Sequence, residues 1–74
     1  MLKYVQVDSD GYAWLDGSIQ QRLHKRGFGV GRANDEWLLF IIKDPVTGGY
    51  HHELSYETTD HVLFDNYLKL LLED

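Results

Sequence analysis

Residues 22 to 32, RLHKRGFGVGR, gather Arg22, Lys25, Arg26 and Arg32 around three glycines with no acid among them. Cationic side chains beside an unencumbered backbone are what capture of an anion requires, because glycine lets N–H groups approach a phosphate closely. The spacing does not complete that chemistry. In a dinucleotide fingerprint the phosphate rests on the N-terminus of a following helix, whereas these glycines lead through RANDE toward a strand, and no lysine followed by Ser or Thr supplies a P-loop. The segment is predicted to be a connector with Phe28 and Val30 turned inward, and Arg22, Lys25, Arg26 and Arg32 form the candidate anion-binding set.

Other reactive groupings are sparse. There is no cysteine, which leaves no disulfide framework and no thiolate metal site. Ser55, His51 and Glu53 share one strand face at period two, but side chains standing parallel on a strand do not converge on one atom, so no nucleophile is assigned. His51, His52, Glu53, Asp60 and His61 are the available metal ligands; adjacent histidines on a strand face opposite ways, and a closed zinc site takes four. No metal and no cofactor are expected. Asp8 and Asp10 open like a calcium loop, yet the later ligands and closing glutamate are missing, and DSDG reads as a turn.

These residues need elements to hold them. LKYVQV and YAWL flank that turn and make a first hairpin. SIQQRLHKRGF follows as a short helix, with Ser18 and Gln21 at capping-box spacing, basic residues in its last turn and Gly27 as its stop, a strand being the alternative because Ile19 and Leu23 also share a face at period two. A second hairpin has strands at 37 to 43 and 50 to 56 about the turn DPVTGG. Leu38, Phe40 and Ile42 point one way and Trp37, Leu39 and Ile41 the other, so the strand is central, with Trp37 packing under the first helix. The last element is a helix with a threonine cap, Asp60 in its first turn and a stripe of Phe64, Tyr67, Leu68 and Leu71. Val62, Leu63, Leu70 and Leu72 lie outside that stripe as surplus apolar surface. Residues 1 to 74 are therefore predicted to form a single α+β domain in the order β-β-α-β-β-α, with a single-layer antiparallel sheet of two hairpins and two helices.

Composition limits the function. With 74 residues, 43% hydrophobic and ten aromatic, the chain is long enough for one small core and too apolar for a disordered segment. No run is long enough to cross a bilayer, the opening residues MLKYVQVDSD lack the apolar core of a secretory signal, and a cytoplasmic protein is expected. Net charge is −5; setting the basic quartet aside leaves three basic residues against twelve acids, −9, elsewhere. That field opposes approach to nucleic acid and favours a basic protein surface. The expected role is a non-catalytic interaction module, with Asp8, Asp10, Asp35, Glu36, Asp44 and Glu57 facing a larger, basic partner. The alternatives are nucleic-acid or anionic-ligand binding through 22 to 32, and a homodimer built on the spare face of the sheet or last helix. In size, charge and composition the chain resembles the small acidic inhibitors of phages and mobile elements, anti-CRISPR proteins included. That resemblance implies blockade of a nucleic-acid-binding groove by carboxylates standing in for phosphates.

Overall fold

The computed structural model describes residues 2 to 42 and 52 to 73. The strands are β1 (Val5–Val7), β2 (Ala13–Leu15), β3 (Phe28–Ala33), β4 (Glu36–Ile42) and β5 (His52–Thr58); the helices are α1 (Gly17–Lys25), between β2 and β3, and α2 (His61–Leu72), after β5. The α+β class holds, but the order is β-β-α-β-β-β-α, and the strands form two antiparallel sheets, β1-β2 and β3-β4-β5. The additional strand is β3. Phe28–Ala33, predicted as a connector, pairs along its whole length with β4, from Phe28 opposite Ile41 to Ala33 opposite Glu36. The turn DPVTGG and Asp44 lie outside the described residues.

A strand containing Gly29 and Gly31 forms against local preference, since glycine packs no side chain and loses much backbone entropy. Its neighbour supplies the reason. On the outer face, a Cβ at Gly29 would collide with Ile42 Cδ1, and one at Gly31 would meet Phe40 Cε2 at 3.3 Å. The glycines make room for two large side chains of β4 to lie across β3. On the inner face Phe28 and Val30 pack against the core, as expected.

That core is formed by Tyr4, Val5, Ala13, Leu15, Leu23, Trp37, Leu39, Phe64, Leu68 and Leu72, all under one-tenth exposed. Trp37 lies under the last helix rather than the first: its ring stacks on Phe64 at 4.7 Å and 11°, and its indole N–H donates to His61 Nδ1 at 2.9 Å. Leu72, placed among the surplus residues by its position in the repeat, is buried; Val62, Leu63 and Leu70 remain exposed.

Capping also departs from the simplest reading. Asp16 is the N-cap of α1 without a side-chain bond, its carbonyl receiving Ile19 N and Gln20 N, so Ser18 is inside the helix and no capping box forms. Gly27, at φ 90°, stops α1 as expected, its N–H donating to the His24 carbonyl. At α2 the cap is Asp60 itself, whose carboxylate accepts from Val62 N at 2.8 Å and Leu63 N at 3.1 Å, while Thr58 Oγ1 braces the Asp60 N–H.

Asp65 joins the chain's two ends. It is 1% exposed, and its carboxylate accepts the backbone N–H groups of Lys3, Tyr4 and Val5 at 2.6 to 3.1 Å, with Lys69 Nζ 3.6 Å away. Successive amides aimed at one carboxylate satisfy a buried charge that would otherwise be costly. Burial works against ionisation, but the amides of Val5, Lys3 and Tyr4, with Lys69 behind them, prevail and hold this carboxyl below its usual 3.8.

Candidate functional site

The outer face of β3-β4-β5 carries what the fold leaves unfinished. Leu38, Phe40 and Ile42 project from β4 onto it, each half-buried, while Trp37 and Leu39 turn into the core. On β5 the register sets the companions. Glu57 opposes Leu38 and Tyr56 opposes Leu39, but Phe40 opposes Leu54, so Ser55 is an extra residue in a β-bulge. The bulge sends Tyr56 to the inner face, where it packs on Tyr67 at 4.3 Å, and leaves Leu54 and His52 on the outer face with Phe40 and Ile42. The period-two alternation that would place His52, Leu54 and Tyr56 on one face is thereby broken at Tyr56.

The result is a shallow apolar surface. Gly29 and Gly31 form its flat side, Phe40 and Ile42 cross it, and Leu54 is 47% exposed beside them, with the His52 ring 6.3 Å from Phe40. Among the described residues, no helix lies over this face: α1 and α2 hold the core through Leu23, Phe64 and Leu68 on the opposite side. Within it Leu54 is exposed and Leu38, Phe40 and Ile42 are half-buried, and exposed apolar patches rimmed by polar groups are candidates for contact surfaces in soluble proteins.

Its acidic rim lies at one end. Glu36 precedes Leu38 on the same face, Glu57 stands diagonal to Glu36, and Asp35 is in the adjoining two-residue turn with Asn34, whose φ of 59° suits the first turn position. Asp35, Glu36 and Glu57 therefore belong to one site. Asp8 and Asp10 sit in the other hairpin, where Asp8 Oδ1 accepts the N–H groups of Asp10 and Tyr12 at 2.9 Å each and so braces the β1–β2 turn. Both remain exposed.

The basic quartet is divided by the fold. Arg32 lies over the Trp37 ring, 4.0 Å from its centroid, and donates from Nη1 to the Ala13 carbonyl at 2.7 Å. Arg26 donates to the Leu71 carbonyl at 2.8 Å, and Arg22 lies 5.9 Å from the Tyr4 ring centroid. These guanidiniums tie β3 to β2 and α1 to the end of α2. Lys25, with His24, instead borders an open groove of about 540 Å³ between α1 and β3, floored by Phe28, Gly29, Val30 and Ile42.

Among the described residues, the possible catalytic and metal residues do not assemble. Ser55 is the bulge residue, Glu53 opposes Ile41, and His51 lies outside the described residues. His61 accepts from Trp37, and no three metal-binding side chains gather among the described residues. No described helix is long and apolar enough to cross a membrane. No protein-family model, curated protein or solved structure matches the chain.

Proposed function

We propose that this protein is a non-catalytic interaction module that covers a basic surface of a larger cytoplasmic protein with the outer face of β3-β4-β5. The observation that carries this reading is the outer-face strip of half-buried Leu38, Phe40 and Ile42 and exposed Leu54, with Asp35, Glu36 and Glu57 at one end. Apolar area supplies affinity; the carboxylates choose the partner and speed encounter. A partner that binds nucleic acid through lysines and arginines fits this combination, and blockade of that surface is the inhibitory role proposed for the chain. Asp8 and Asp10 extend the negative field from the neighbouring hairpin.

The test is affinity capture from the source cells with the wild type, a Phe40→Thr/Leu54→Lys variant and an Asp35→Lys/Glu36→Lys/Glu57→Lys variant. The wild type is expected to retain a nucleic-acid-binding protein, released as salt rises; the first variant loses it, and the second both weakens retention and flattens its salt dependence. Equal retention by all three, with the same salt dependence, contradicts the reading.

A further inference from the structure

Beyond that face, the structure has an open sheet edge. Ile42 N donates to the Gly27 carbonyl at 2.7 Å, which fixes the phase of the β3–β4 ladder. Hydrogen-bonded and non-bonded pairs alternate in an antiparallel ladder, so Gly29, Gly31 and Ala33 bond toward β4, and Phe28, Val30 and Arg32 direct their N–H and C=O groups away from it. Among the described residues no strand pairs with that second edge. Arg32 reaches across its far end to Ala13, while Phe28 and Val30 open onto the groove beside α1.

We propose that this groove binds an extended peptide as a fourth strand, antiparallel to β3, with acidic residues at the peptide's C-terminal end. Strand addition draws affinity from main-chain hydrogen bonds and selectivity from neighbouring side chains. Phe28 and Val30 offer those bonds, and a volume of about 540 Å³ accommodates a short segment. Charge sets the chemistry of the occupant. The chain carries −5 overall, yet among the described residues the groove's lining includes His24 and Lys25 and no carboxylate, with Gln20 and Gln21 as its other polar side chains. Polarity follows from the same placement. An antiparallel strand ends beside Phe28, where the last turn of α1 presents Lys25, so the acidic residues belong at that end.

The test uses the full chain, labelled for amide NMR, and two acetylated probes: Val-Thr-Val-Thr-Asp-Asp with a free carboxylate, and Val-Thr-Val-Thr-Lys-Lys with an amide end. The acidic probe is expected to shift the Phe28 and Val30 amides, and Lys25→Glu to weaken it about two- to fivefold or more, as loss of an exposed ion pair implies. Val30→Pro should abolish binding while preserving the fold, because the Val30 N–H lies outside the β3–β4 ladder. A probe N-methylated at its central valine removes the same bonding from the ligand side and should also fail to bind. No amide shifts at millimolar probe, equal binding of the lysine probe, or undiminished binding of the N-methylated probe overturns the proposal. So does self-association that Val30→Pro abolishes, which would seat a second copy's β3 in the groove. The groove shares Gly29 and Ile42 with the outer face, but the outer-face variants, at Asp35, Glu36, Phe40, Leu54 and Glu57, replace none of the residues that line it, so the two proposals fail separately.

Discussion

Asp65 and Gly29 show how much single residues decide here. A lone acid between Phe64 and Leu68 in an apolar helix is the kind of local conflict that marks a structural or functional role, and its role is to receive the amides of Lys3, Tyr4 and Val5. Asp65→Asn should cost about 2–3 kcal/mol, the worth of hydrogen bonds to a buried charge, measured by urea unfolding at neutral pH. The pH dependence has a definite sign. Because the folded carboxyl titrates below 3.8, its contribution is fully present above that value and is lost as pH falls through the lower, folded value. Wild-type stability should fall on acidification more steeply than that of Asp65→Asn, and parallel curves would contradict this. Gly29→Ala should cost about 1–2 kcal/mol through overpacking against Ile42, and Ile42→Ala in the same chain should recover part of that loss; simple additivity in thermal unfolding would show that the two do not touch.

At the scale of elements, patterns with a single physical reading were legible and those balanced by a neighbour were not. The alternation of WLLFII yielded the two faces of β4, and Phe64, Tyr67, Leu68 and Leu71 yielded the packed side of α2. β3 was hidden because glycine signals a loop unless the side chains that need the space are known, and those belong to Phe40 and Ile42. The bulge at Ser55 was equally hidden: it leaves no mark in composition, yet it moves Tyr56 to the other side of the sheet and so alters which residues share the candidate site. The cap of α2 was misplaced by a residue or two because Thr58, Thr59 and Asp60 are all good caps. Asp60 bonds both Val62 N and Leu63 N, and Asp60→Ala should therefore lower stability by about 1 kcal/mol, seen as a drop in the urea midpoint with unchanged slope.

For the whole molecule, the uneven charge was visible in the sequence, but its division was not. The fold gives Arg26 and Arg32 backbone carbonyls to hold and leaves Lys25 at an open groove, while Asp35, Glu36 and Glu57 collect at one end of a sheet face. Five strands and two helices leave one face of the three-stranded sheet without a covering element among the described residues. The central claim is that this face is held in reserve for another molecule. It is tested most directly by thermal unfolding of Phe40→Thr/Leu54→Lys, measured alongside partner capture. The account predicts a melting temperature lowered by less than about 8 °C, roughly the effect of one kcal/mol in a domain of this size, together with loss of the partner. Loss of the cooperative transition itself would show that the two side chains belong to the protein's own interior.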